Sequence, residues 1–193
     1  MIDLELLADA TQWAQHCERQ QQQHPIAPIQ VIWHGRIDLQ VADLMLQEQS
    51  HYEDRHGTGV LADREINPTA AVLDRAVIAP DHPAHGHILS VCGLAEARVA
   101  VNLQRPGCFI PDHVDRNRTF IRSIADRTPP LDWSSIRRFF YFFEDQAPGQ
   151  FVQLGHTQIQ WRAGDMIEWP YYLRHATANA SYSARTMLSI VGV

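Results

Sequence analysis

Between residues 97 and 193 one pattern recurs: a short run rich in β-branched and aromatic residues, followed by a turn signal. The runs ARVAVNLQ, RRFFYFFED, GQFVQLG, TQIQW, DMIEWP, RHATAN and RTMLSIVGV are divided by RPG, APG, LGH and RAGD. Runs this short and this rich in strand formers bury their apolar side chains by pairing, so the pattern specifies an all-β sandwich, jelly roll or barrel. No internal repeat and no long linker divides the chain. The expectation is one domain over 1–193, with a mixed helical support at 1–95 and the β core at 96–193.

The first half reads differently. Ile2, Leu4, Leu6, Leu7, Ala10, Trp13, Ala14 and Cys17 recur at near-helical spacing, with Asp3 near the start and the RQQQQH run at the end. They predict an amphipathic helix over 2–22. PIQVIWHG reads as a short strand, and DLQVADLMLQEQSHYEDRHG as a second helix capped by Asp38 and stopped by Gly57. NPTAAVLDRAVIAP reads as a short helix and DHPAHGHILS as a histidine-rich loop. The helices are expected on the outside of one sheet.

Composition narrows the chemistry. A hydrophobic fraction of 45% over 193 residues belongs to an ordinary globular protein. A net charge of −6 argues against nucleic acid or an anionic membrane as the main partner, leaving a small molecule or a protein. All 16 basic residues are arginine. Without lysine there is no Schiff base, no conventionally attached pyridoxal phosphate and no Walker A site. The three scattered cysteines, the acidic start MIDLELLADA and the absence of a long apolar run point to a cytoplasmic protein without a membrane span.

The segment IPDHVDR places His113 and Asp115 two residues apart, on one side of an extended strand. An imidazole and a carboxylate so placed can hold a divalent metal if a third ligand arrives from elsewhere. His156, at the hairpin tip LGHTQ, and His175, opening HATAN 62 residues beyond His113, are the candidates. His175 is the better placed. Arg185 follows 10 residues later at the head of the apolar terminal strand. Burial there calls for an anion, either a ligand or the carboxylate of Glu144 or Asp165.

In this order, His113-x-Asp115, His175 and Arg185 resemble the iron(II)- and 2-oxoglutarate-dependent oxygenases. The flanks NLQRPG and WRAGDMIEWPYYLRHATANAS are similar to the small prokaryotic and phage-type hydroxylases of that superfamily, over roughly residues 97 to 193. The resemblance implies a double-stranded β-helix, a cupin-like jelly roll, with flanking N-terminal helices. It implies His113, Asp115 and His175 as iron ligands and Arg185 as the clamp on the far carboxylate of 2-oxoglutarate. It further implies Fe(II), 2-oxoglutarate and O2 as reactants, with succinate and CO2 released as a C–H bond is hydroxylated. Asp115 sets the chain apart from the related halogenases, which carry a small residue there. Met187 is a departure, since many relatives place serine two residues after the clamp. Asn102 and Gln104, on one face of ARVAVNLQ, are expected to line the pocket, and Asn179 and Trp169 to orient the ligands.

For the substrate, the arginines of the middle segment (Arg116, Arg118, Arg122, Arg127, Arg137 and Arg138) offer carboxylate or phosphate contacts, or else pair with Asp126, Asp132, Glu144 and Asp145. Arg118 and Arg122 are the preferred anchors, for an amino acid, a peptide side chain or another small carboxylate. A competing site is His82, His85 and His87: His85-x-His87 has the spacing of cupins that do not use 2-oxoglutarate, although the glutamate expected downstream is missing. A non-catalytic jelly-roll binding module is the third reading. No G-x-S-x-G is present to suggest a hydrolase.

Overall fold

A computed structural model describes residues 4–24, 28–45, 49–51, 72–125 and 132–193. Its strands are β1 (Val31–His34), β2 (Gln49–His51), β3 (Val72–Ile78), β4 (Ala97–Gln104), β5 (Phe109–His113), β6 (Arg137–Phe142), β7 (Gln150–Leu154), β8 (Thr157–Gln158), β9 (Asp165–Pro170), β10 (His175–Asn179) and β11 (Arg185–Gly192). The helices are α1 (Ala10–Gln23), α2 (Val41–Met45), α3 (Pro83–Cys92) and α4 (Arg118–Ile124). One sheet has the order β1-β9-β6-β11-β4-β3-β2 and the other β5-β10-β7-β8. All pairings are antiparallel. From β4 onward the chain passes back and forth between the two sheets, with the hairpin β7–β8 kept within the small one, in the winding of a double-stranded β-helix, the cupin-like jelly roll.

Alternation along the strands divides the apolar residues between two cores. One face of the large sheet puts Val99, Val101, Phe139, Tyr141, Leu188 and Ile190 under Ala84, Ile88 and Cys92 of α3. The opposite face puts Phe140, Phe142, Met187 and Trp169 against Val152 and Leu154 of the small sheet, and this face lines the barrel. A third cluster joins Trp13 and Cys17 of α1 to Phe120, Ile121 and Ile124 of α4.

Several expectations for the first half change. The first helix starts at Ala10, not near Asp3, because Asp9 caps it by accepting from the backbone N–H groups of Thr11 at 2.7 Å and Gln12 at 2.9 Å. The second helix is only Val41–Met45, and a strand follows at Gln49–His51; Gly57 lies outside the described residues. The segment read as a short helix is strand β3, paired along β4. There Val72, Val77 and Ile78 suit a pleated surface, and pairing overrides the weak helical pattern. The histidine-rich segment is helix α3, with Pro83 at its first turn and the His82 ring accepting from Ala84 N–H at 3.1 Å. β1, β2 and β3 all join the large sheet, so residues before 96 supply strands as well as helices.

Candidate metal centre

The register of the small sheet assembles the cluster. β5 and β10 pair with His113 directly opposite His175. Their rings lie 4.2 Å apart between centroids. β5 ends at His113, so the extended geometry stops there and Asp115 stands in the irregular segment leading to α4. The carboxylate nevertheless turns back between the two rings. His113 Nε2 is 3.3 Å from Asp115 Oδ1, and His175 Nε2 is 3.5 Å from Oδ2. Ligand atoms of all three residues lie within 4.8 Å of one another. His156, exposed between β7 and β8, is not part of the cluster.

The hydrogen bonds show what this donor set suits. His113 Nδ1 lies 2.7 Å from the Pro111 carbonyl and His175 Nδ1 3.4 Å from the Leu173 carbonyl. Each carbonyl accepts, which assigns the proton to Nδ1 and leaves the lone pair of Nε2 facing the carboxylate. Two nitrogen lone pairs and a carboxylate turned toward one another repel unless a cation lies among them. The residues present therefore fit a divalent metal, held by two imidazoles and one carboxylate.

Electrostatics hold the ligands in the form a metal needs. Burial lowers the His175 imidazole to about 4, with the neighbouring His113 adding to the effect. Burial alone would raise the Asp115 carboxyl, but the Arg138 guanidinium beside it outweighs burial and holds it well below the usual range. Arg138 Nη2 donates to Asp115 Oδ2 at 2.6 Å, and its guanidinium lies 4.0 Å over the Trp169 ring. Trp169 in turn sets its edge against His175, 4.6 Å between centroids. It packs in the core and positions a ligand at once.

The depressed His175 pKa carries a stability signature. The unfolded chain takes up this proton below pH 6.5 and the folded one only near pH 4. This contribution is complete above pH 6.5 and is lost as pH falls toward 4. In metal-free protein, urea denaturation at pH 7 and pH 4.5 is expected to show wild type losing about 2 kcal/mol more than His175→Gln. Equal losses in the two proteins would mean that His175 titrates normally.

The second anchor is built around Arg185, which is 2% exposed. The register of β4 against β11 sets Gln104 directly opposite Arg185. Gln104 Oε1 accepts from Arg185 Nη2 at 2.5 Å, and the Phe151 carbonyl accepts from Nη1 at 2.8 Å. Gln104 is itself held by its donation to Thr177 Oγ1 at 3.1 Å. Arg185 Nε is buried without a partner. Asp165 pairs with His34, and Glu144 accepts from the Thr186 N–H, so neither forms an ion pair with Arg185. Burial lowers the guanidinium to about 10, with Glu144 opposing the shift, and it remains a cation at neutral pH. A buried cation whose own contacts are neutral is suited to an anion.

Asn102 faces the same interior, 5% exposed, with its Oδ1 unpartnered. Asn179 has a different task from the one expected. It donates to the Gln104 and Ser183 carbonyls and accepts from Ser181, which ties the turn between β10 and β11 to β4. The middle arginines separate into distinct environments. Arg116 is buried against the Leu7 and Ala8 carbonyls, Arg137 makes a two-point pair with Glu168, and Arg138 meets Asp115. Arg118 and Arg122 sit on α4, Arg122 exposed, with no ion pair among the described residues. Arg127 lies outside the described residues.

In α3, His85 is buried beside the Ala97 carbonyl and His87 is exposed. Two residues apart on a helix point to different sides, so these two do not share a ligand position. The roles that sequence reasoning missed are those of Arg138 toward Asp115 and of Thr177 toward Gln104. The signal for the first was an arginine in phase with Phe140 and Phe142. The signal for the second was a threonine in phase with His175.

No family profile and no curated protein sequence matches the chain. Several solved structures resemble it at low identity. A Pseudomonas putida prolyl-4-hydroxylase aligns over 99% of this chain and 88% of its own, at 15% identity and a TM-score of 0.47. The Schizosaccharomyces pombe Cnp3 cupin domain aligns over 63% of this chain and 64% of its own, at 10% identity and a TM-score of 0.39. A predicted oxalate decarboxylase from Thermotoga maritima aligns over 63% and 81%, also at 10% and 0.39. At such identities the chemistry is read from the site itself. Among the described residues no helix is long and apolar enough to cross a membrane.

Proposed function

We propose that the protein is an iron(II)- and 2-oxoglutarate-dependent oxygenase that hydroxylates a C–H bond of a small carboxylate-bearing molecule. One observation carries this reading: a two-histidine, one-carboxylate cluster shares a barrel with a buried arginine whose hydrogen bonds go to neutral groups and which has no ion pair among the described residues. Iron(II) held by His113, Asp115 and His175 would supply dioxygen activation coupled to oxidative decarboxylation of the 2-oxo acid.

The chain's own residues do the rest. Arg185 binds the far carboxylate by charge-assisted hydrogen bonds, and Gln104, fixed by Thr177, holds the guanidinium in one rotamer before the ligand arrives. Arg138 keeps Asp115 anionic and fixes its orientation. Phe140, Phe142, Trp169 and Met187 exclude water from the interior. A closed structural metal site would carry a fourth protein ligand, and among the described residues this cluster has three.

The test is succinate formation from 2-oxoglutarate by anaerobically purified protein supplied with iron(II), ascorbate and air. Wild type is expected to form succinate slowly even without its substrate, and His113→Ala at least about 100-fold less. A wild type that neither binds 2-oxoglutarate in the presence of metal nor forms succinate would falsify the proposal.

A further inference from the structure

Arg75 stands in the middle of β3, directly across from Asn102 of β4. The same row runs on through Met187 of β11 to Phe142 of β6. Strand alternation therefore puts Arg75 on the barrel-lining face. Among the described residues its guanidinium makes no hydrogen bond and no ion pair, and its Nε is buried. Its charge acts on Arg138, 2% exposed, whose Nε and Nη1 are likewise buried without partners. In the next row Ala100 and Ser189 face each other, two small side chains that leave room above the sheet. Ser189 is half-buried although strands flank it on both sides.

Arg75, Arg138 and the unpartnered Oδ1 of Asn102 thus belong to one face of one sheet. A half-buried guanidinium whose Nε has no hydrogen bond is unfavourable unless an anion meets it, and Arg138, already paired with Asp115, keeps two further nitrogens unpartnered. With the oxygenase reading in place, formal charges identify which anion. A divalent metal, Asp115, Arg138, Arg185, Glu144 and a dianionic 2-oxo acid together cancel, and Arg75 is left over. The geometry points to Arg75 as the anchor for the carboxylate of the oxidised molecule, with Asn102 Oδ1 accepting from its amino group, which makes a free amino acid the substrate class. The charge count that singles out Arg75 rests on the proposed oxygenase function, whereas amino-acid binding is measured without turnover and tested separately.

The probes are the twenty proteinogenic amino acids and their primary amides. Binding is followed by saturation-transfer NMR on full-length protein carrying zinc(II), with and without 2-oxoglutarate, whose own affinity is measured by calorimetry. At least one amino acid is expected to bind wild type, with its amide about 10-fold weaker. Arg75→Gln is expected to lose the amino acid by a similar factor while 2-oxoglutarate affinity holds within about 2-fold. The same variant is expected to melt no lower than wild type, since among the described residues Arg75 makes no hydrogen bond and it repels Arg138.

Amides that bind as tightly as the acids, or a panel in which nothing binds, overturn the proposal. So does an Arg75→Gln protein that weakens 2-oxoglutarate as much as the amino acid, or one that melts several degrees lower. A wild type that ignores 2-oxoglutarate yet takes an amino acid through Arg75 leaves this site standing, and the oxygenase reading alone falls.

Discussion

Asp115→Ala is expected to bind iron(II) at least about 100-fold more weakly and to lose about 3 kcal/mol of stability. The first effect follows from removing one of three ligands. The second follows from Arg138, which is 2% exposed and whose ion pair among the described residues is with Asp115. Breaking a buried pair by deleting one partner typically costs 3 to 5 kcal/mol, because the remaining charge is left in a poor solvent. The lower end applies, since the Asp115 side chain is 34% exposed. The double variant Asp115→Ala/Arg138→Met separates the two effects. Urea denaturation should show most of the stability regained, while anaerobic calorimetry should show metal affinity still lost. If the double variant is no more stable than the single one, Arg138 is not the source of the penalty.

Arg185→Met is expected to raise the KM for 2-oxoglutarate by about 100-fold, with kcat and stability little changed. A two-point, charge-assisted contact to a carboxylate contributes roughly 2 to 3 kcal/mol, close to two decades in affinity. Because such a contact holds substrate and transition state alike, its loss falls on KM. Stability should change little, since removing a buried charge with no ion pair among the described residues offsets the hydrogen bonds lost to Gln104 and the Phe151 carbonyl. Arg185→Lys should rescue little, because an ammonium cannot serve Gln104, the Phe151 carbonyl and a ligand with one planar fork. Steady-state succinate kinetics and thermal melting distinguish the outcomes. A variant that unfolds while its remaining folded fraction keeps normal 2-oxoglutarate affinity makes Arg185 a structural residue.

The β-helix was legible because its cues are local. Each strand from ARVAVNLQ onward carries its own alternation and its own turn, and the structure has strands at all of them, although in TQIQW only the first two residues, Thr157 and Gln158, pair as one. The union of His113, Asp115 and His175 was legible because residue type and order mark it without any knowledge of register. Register itself was not legible. That Gln104 meets Arg185 depends on a long pairing of β4 with β11, which no single segment encodes. The first half failed for the same physical reason. Residues 72–78 contain Leu, Asp, Arg and Ala, acceptable in a helix, and it is the edge of β4 that makes them a strand. In DHPAHGHILS the histidines suggested a loop, while Pro83 and the apolar spacing of Ala84, Ile88 and Cys92 were the better guide. Arg138 looked like one of a basic cluster because charge counts in sequence ignore which side of a strand a residue faces.

The strand bearing His113 lies at one margin of the small sheet, paired among the described residues with β10 alone, and its register with β10 slips between His175 and Thr177. Such a margin is the first part of a sheet to peel. A ligand shared by His113 and His175 would clamp that margin across its end, much as a clasp closes a hem. Backbone order along Phe109–His113 and occupancy of the site are then a single variable: slowed amide exchange there would announce a loaded centre, and an emptied one would hand the same five residues back to solvent.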